Sequence, residues 1–181
     1  MQIEPIQYNE IKVKNIKKEI INNKPFGDKS PLIGFNLDNS RIYTITGEKD
    51  NIITKEGEDN AWMGSICQLE FDKTKEYSWS IKILKTQNKV IMVGITPIDF
   101  DLNSSTYNYG WYLNCNHSKL YSGIPHNYDG KETNLNKVKD EVKIIMNMNE
   151  KTLKFIIDNE DKEVSYKDIP GNKPLCPVVL L

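Results

Sequence analysis

Alanine and arginine are almost missing from this chain, and each scarcity excludes a class of protein. Ala61 is the only alanine, whereas isoleucine is abundant, so a helical bundle is disfavoured and β-strands are favoured. Arg41 is the only arginine, although arginine is the usual residue for bidentate contacts to phosphates and bases. The 24 basic and 25 acidic side chains give a formal net charge of −1. The sequence therefore predicts no nucleic-acid partner.

Long apolar runs and paired cysteines are also lacking. No stretch of about 18 apolar residues occurs, so we expect no membrane span. The opening residues, MQIEPIQYNEIKVKN, lack the basic and apolar regions of a secretory signal. Cys67, Cys115 and Cys176 are odd in number and widely spaced, a pattern typical of reduced and mostly buried thiols. These features together predict a cytoplasmic protein.

Sequence signatures of the common catalytic sites are absent as well. There is no G-x-S-x-G, glycine-rich phosphate loop, C-x-x-C or H-E-x-x-H. The two histidines, His117 and His126, lie in polar segments, where a solvated ring is the usual state. Paired carboxylates of the kind used by glycosidases occur at Glu70 with Asp72 and in the run 158–163, which has the composition of a solvated turn. We expect a non-enzymatic protein that carries no cofactor and no metal.

The sequence does contain a series of short alternating segments. YSWSIKIL (77–84) places aromatic and aliphatic residues on one face, and KVIMVGI (89–95) is apolar on both faces, as in a central strand. Asn149-Glu150-Lys151 indicates a hairpin between two further alternating segments. Repeated strands with almost no helix predict an all-β fold, an antiparallel sandwich of two sheets or a jelly roll. Its predicted buried core is Trp79, Ile81, Ile83, Val93, Val142, Ile144, Leu153 and Phe155.

Residues 1–24 differ in their pattern of apolar and charged residues from residues 25–181, which are predicted to form the sandwich. One interpretation is a coiled-coil remnant, since apolar residues occupy heptad positions at Ile6, Val13, Ile16 and Ile20. The other is an edge strand, because Ile11 and Val13 alternate with lysines. The sequence leaves both interpretations open, and with them the oligomeric state.

The order of these segments resembles the SPRY family, a concanavalin-like β-sandwich. The resemblance covers about residues 60–181 and depends on order and spacing. It rests on YSWSIKI, on KVIMVGI ending in Val93-Gly94-Ile95, on Gly110-Trp111, on KLYSG, on the hairpin between Asp140 and Phe155, and on Pro174-Leu175-Cys176-Pro177. Two departures are Lys139, where the family usually has glycine, and the end at Leu181, where the family continues into one last strand. Residues 1–24 would then fill that vacant edge, unless the sequence is a fragment.

The resemblance implies a protein-interaction module that binds a peptide or protein surface through loops at one edge. Such domains often serve as the targeting part of larger proteins, including ubiquitin ligases and scaffolds. Trp62, Phe100, Tyr107 and Tyr128 lie in polar stretches, where strand burial explains them poorly and interface anchoring explains them well. The predicted partner-binding residues are Asn60, Trp62, Asn88, Phe100, Asp101, Tyr107 and Tyr128.

A calcium-dependent lectin of similar shape is the alternative function. Oxygen ligands alternate from Asp99 to Asn103, as in the first half of a calcium loop. However, Ser104 stands where such a loop needs glycine, and Gly110 stands where it needs glutamate.

Overall fold

A computed structural model describes residues 8–19, 43–46, 52–56, 64–66, 71–85, 91–99, 110–122, 137–160 and 163–181. In these ranges every regular element is a β-strand, and no helix there could span a membrane. The strands are β1 (Tyr8–Glu19), β2 (Tyr43–Thr46), β3 (Ile52–Glu56), β4 (Gly64–Ile66), β5 (Glu76–Lys85), β6 (Met92–Pro97), β7 (Trp111–Asn114), β8 (Lys119–Ser122), β9 (Glu141–Asn147), β10 (Thr152–Ile157), β11 (Glu163–Tyr166) and β12 (Leu175–Leu180).

These strands form two antiparallel sheets. The seven-stranded sheet has the order β11-β10-β9-β5-β1-β3-β2, and the five-stranded sheet has the order β4-β12-β6-β7-β8. The predicted hairpin is present, since β9 and β10 pair from Asn147 opposite Thr152 to Val142 opposite Ile157. The prediction of a two-sheet antiparallel β-sandwich is confirmed.

The N-terminal strand β1 has a neighbour on each side. It pairs with β3 from Tyr8 to Lys12 and with β5 from Glu10 to Glu19. The edge-strand prediction is therefore wrong in position, and residues 8–19 do not form the helix that a coiled coil requires. The edge beside β12 is occupied by β4 instead, because Val178 pairs with Ile66. The predicted domain boundary at residue 24 stays a prediction.

The core between the sheets is built from alternate residues of the strands. In β9 and β10 buried and more exposed residues alternate, because successive side chains of a strand point to opposite faces. Seven of the eight predicted core residues are at most 1 % exposed, and Ile83 is only partly buried. The seven are Trp79, Ile81, Val93, Val142, Ile144, Leu153 and Phe155.

The outer faces of the two sheets differ in burial. On the five-stranded sheet a second apolar cluster of Met92, Tyr112, Val178 and Leu180 is also buried, and every residue of β6 is buried. The prediction that KVIMVGI is a central strand, apolar on both faces, is thus confirmed for Met92–Ile95. On the seven-stranded sheet the outward residues of β5, β9 and β10 are mostly half-buried or exposed. The outer face of the seven-stranded sheet is therefore more exposed to solvent than the outer face of the five-stranded sheet.

Gly94 explains the Val-Gly-Ile triplet in physical terms. A Cβ atom at this position would collide with the backbone carbonyl of Trp111 on the paired strand β7. Because a paired backbone cannot move aside cheaply, the close approach of β6 and β7 requires glycine.

Tyr166 connects the two sheets at the side formed by β8 and β11. Its hydroxyl lies 2.6 Å from the carbonyl oxygen of Tyr121 and 3.0 Å from that of Tyr112, so it can donate its proton to either. Burial raises the pKa of Tyr166, and the hydroxyl stays protonated as a donor. These hydrogen bonds hold the edges of the two sheets together on this side of the sandwich.

Candidate partner-binding loops

The sandwich has two ends, which are identified by backbone hydrogen bonds beside the ends of its strands. At the Ile91 end, Cys115 N donates to Ile91 O (2.8 Å), Val138 N to Cys115 O (3.1 Å) and Ile83 N to Asp140 O (2.8 Å). These bonds bring the start of β6 beside the end of β5. At the Pro97 end, Phe71 N donates to Leu175 O (3.0 Å) and Ile98 N to Pro174 O (3.0 Å). The start of β5 therefore lies beside the end of β6.

The predicted site residues all lie outside the described residues, but the strand ends that flank them are described. Two of these segments start and finish at the Ile91 end: 57–63, which carries Asn60 and Trp62, and 86–90, which carries Asn88. The pairings of the flanking strand ends show this, since Lys85 pairs with Glu10, Glu56 with Tyr8, and Gly64 with Leu180. Segment 100–109, with Phe100, Asp101 and Tyr107, starts and finishes at the Pro97 end. Segment 123–136, with Tyr128, joins the two ends. That all seven residues share one edge stays a prediction.

The Ile91 end is braced by the carboxylate of Asp158. Its two oxygens accept backbone hydrogen bonds, each 2.9 Å long, from Lys139, Asp140 and Glu141. Partial burial opposes ionisation of Asp158, but these three N–H groups outweigh it and hold the pKa of the carboxyl below its ordinary value. This role could not be predicted from the sequence, because a solvated acidic turn and a turn whose carboxylate accepts backbone hydrogen bonds have the same composition.

The turn between β7 and β8 also lies at the Ile91 end. Asn114 Oδ1 accepts the backbone N–H of Asn116 (2.9 Å) and of His117 (3.1 Å), and Ser118 takes the left-handed conformation with φ of 51°. His117 is exposed, with Asn116 beside its ring at 3.4 Å. Burial raises the pKa of the Cys115 thiol, which disfavours the thiolate that nucleophilic chemistry needs. Cys115 and Cys176 are reduced and buried thiols, as predicted, and Cys67 lies outside the described residues.

The Pro97 end carries Asp99, a residue of the predicted calcium loop, and Asp72, one member of a predicted carboxylate pair whose other member, Glu70, lies outside the described residues. Asp99 lies 3.0 Å from the ammonium group of Lys173, and its predicted partners in the calcium loop lie outside the described residues. Asp72 accepts hydrogen bonds from the backbone and hydroxyl of Thr74 and is ion-paired with Lys75. In the described ranges, no group of three or more histidine, cysteine or acidic residues could hold a metal ion.

Among the described residues, each end of the sandwich has one exposed aliphatic residue close to a segment that carries predicted site residues. Leu84 and Ile98, each 42 % exposed, are the exposed large hydrophobic residues found among the described ones. Leu84 stands two residues before segment 86–90, and Ile98 two residues before segment 100–109. An aliphatic side chain in this position can form part of an apolar contact patch together with the neighbouring segment.

An antiparallel sandwich of two sheets that carries long segments at its ends is the architecture of this chain. The SPRY domain family matches residues 76–181, which is more than half of the chain. The crystal structure of the TRIM65 PSpry domain matches with a TM-score of 0.59 and 15 % identity, covering 81 % of this chain and 85 % of that chain. No curated protein matches. The chain belongs to the SPRY family, whose members are protein-interaction modules.

Proposed function

We propose that this domain is a non-catalytic module of the cytoplasm that recognises a peptide or protein surface through the segments at its Ile91 end. Trp62 is the main anchor, and Asn60 and Asn88 supply polar contacts beside it. A tryptophan carries a large apolar area and an N–H donor, which is typical of residues that dominate binding energy.

The observation that carries this proposal is the common position of the strand ends that flank segments 57–63 and 86–90. Glu56, Gly64, Lys85 and Ile91 all lie at one end of the sandwich. Segments that are distant in sequence but held at the same end of a rigid scaffold can converge on one ligand. Exposed Leu84 at this end supports an apolar contact.

Within a larger assembly, the domain would supply the targeting function of a ubiquitin-ligase-type complex or a scaffold. The bound partner would then be the substrate or the anchored protein. The family supports the protein-interaction role, and the proposal adds that this interaction targets a larger assembly to the partner.

The experiment is a pull-down from native extract with matched variants. Trp62→Ala should lose the partner that the wild type captures, and Asn88→Ala should weaken its capture. Tyr107→Ala is the control at the opposite end and should retain the partner. Loss with Tyr107→Ala and retention with Trp62→Ala would assign binding to the Pro97 end and contradict the proposal.

A further inference from the structure

The outer face of the seven-stranded sheet has a charge distribution that the loop proposal does not explain. Two rows of paired residues cross β1, β5, β9 and β10 on this face. One row is Lys14, Ser80, Lys143 and Ile156, and the other is Lys17, Ser78, Ile145 and Lys154. The two rows contain four lysines and no acidic residue, in a chain with slightly more acidic than basic side chains. We call these eight positions the lysine face.

The next row carries charges of both signs. Lys12 pairs directly with Lys82, and Lys82 in turn pairs with Glu141. Like charges at directly opposite positions destabilise a sheet, and here Lys82 is partly compensated by Asp140, 3.4 Å from its ammonium group. Acidic residues lie at the margins of the face, with Glu76 opposite Glu19 at one end of β5 and Glu163 on the edge strand β11. Acidic residues thus surround the lysine face, whose eight positions contain none.

Access to this face is supported by the described side chains. Lys143 is exposed, and Ser78, Ser80, Ile145, Lys154 and Ile156 are half-buried. Lys143 lies opposite Ile156, and Ile145 lies opposite Lys154, so lysine and isoleucine alternate on β9 and β10. Strands are about 4.8 Å apart, which places the Cα atoms of Lys14 and Lys143 roughly 10 Å from each other across Ser80.

We propose that the lysine face is a second docking surface, which binds an extended acidic segment of a protein partner. In an extended segment every second side chain faces the sheet, so a segment whose sheet-facing residues are alternately acidic and aliphatic fits the alternation of lysine and isoleucine on β9 and β10. A polypeptide is favoured over nucleic acid because lysine without arginine gives point charges and no bidentate contact to phosphate. This inference does not depend on the Ile91 end, since the face lies on the sheet and the loops lie at the strand ends.

The test measures binding of a short fluorescein-labelled peptide by fluorescence anisotropy at low and high salt. Every second residue of this peptide is serine, and the residues between the serines are alternately glutamate and valine, so that one face of the extended peptide carries both. The face variant is Lys143→Glu with Lys154→Glu. The control is Lys73→Glu with Lys167→Glu, two exposed lysines outside the face, with the same change in net charge. A neutral variant, Lys143→Gln with Lys154→Gln, and a thermal melt of each protein separate charge effects from misfolding.

The wild type and the control should bind the peptide with similar affinity, and more weakly at high salt. The face variant should bind at least about tenfold more weakly, and the glutamine variant should be intermediate. Equal binding by all four proteins, or none by the wild type, would overturn the proposal. A labelled oligonucleotide and vesicles containing phosphatidylserine are tested in parallel. Tighter binding of either of these than of the peptide, with the same dependence on Lys143 and Lys154, would overturn the assignment to a protein partner.

Discussion

Asp158 shows how a single carboxylate can position a binding end. Three backbone N–H groups, from the two residues before β9 and from its first residue, converge on it. Asp158 and Asn159 have φ values of 48° and 59° in the turn that carries this carboxylate. The left-handed region is more accessible to aspartate and asparagine than to most residues. Asparagine is therefore the substitution that tests the charge with the least change in backbone preference.

We expect Asp158→Asn to lower the free energy of unfolding by about 1–2 kcal/mol at neutral pH, because hydrogen bonds to an ionised acceptor are lost or weakened. The folded pKa of Asp158 is depressed, so its contribution is present above the unfolded pKa of about 3.9 and is lost as pH falls through the folded pKa. Urea unfolding at several pH values measures this. A difference between wild type and variant that stays constant into the acid range would contradict it.

At the scale of strands, most of the sandwich could be predicted from alternation. The pattern of Trp79 and Ile81 on β5, and of Leu153 and Phe155 on β10, identifies inward faces because burial imposes a period of two on a strand. Ile83 follows the same pattern but is only partly buried. Periodicity predicts which face of a strand a side chain lies on, but not how completely the other sheet covers it. Pairing partners far apart in sequence carry no local signal, and the interior position of β1 could not be read from residues 1–24.

Phe155→Ala should destabilise the domain by about 3–5 kcal/mol, because it empties a fully buried aromatic site in contact with Tyr166. Lys143→Ala on the adjacent strand β9, where the side chain is exposed, should change stability by less than about 0.5 kcal/mol. Denaturant unfolding compares the two variants. Equal losses would show that TLKFIID is not an inner strand.

Deletion of residues 1–24 should destabilise the domain and promote self-association. The deletion removes β1 from between β3 and β5 and exposes the unpaired edges of both strands. A thermal melt and light scattering of the full and shortened chains measure the two effects. A shortened chain that melts at the same temperature and remains monomeric would contradict the pairing of β1.

At the scale of the whole molecule, the family could be predicted from the order of segments, whereas the binding site could be predicted only as residue types. The paired strands require glycine at position 94 and fix the register of the 140–155 hairpin, so both features can be recognised from the sequence. Binding loops have no such periodicity. Trp62 and Tyr107 look equivalent in sequence, yet the strand ends beside them lie at opposite ends of the sandwich.

Calcium should leave the melting temperature unchanged if the domain recognises proteins and is not a lectin. Asp99 already has a cation partner in Lys173, and a ligand that binds only the folded state would raise the midpoint. Thermal melts with calcium and with a chelator make the comparison. A higher midpoint in calcium would favour the lectin alternative.

The central claim, that Trp62 anchors a partner at the Ile91 end, is tested most directly by tryptophan fluorescence quenching with iodide. The chain has three tryptophans, and Trp79 and Trp111 are buried, so the iodide-accessible emission reports on Trp62. We predict an accessible fraction in the free domain that is absent in Trp62→Phe and is protected when the captured partner is added. Identical quenching of the wild type and Trp62→Phe, or quenching unchanged by the bound partner, would contradict the claim.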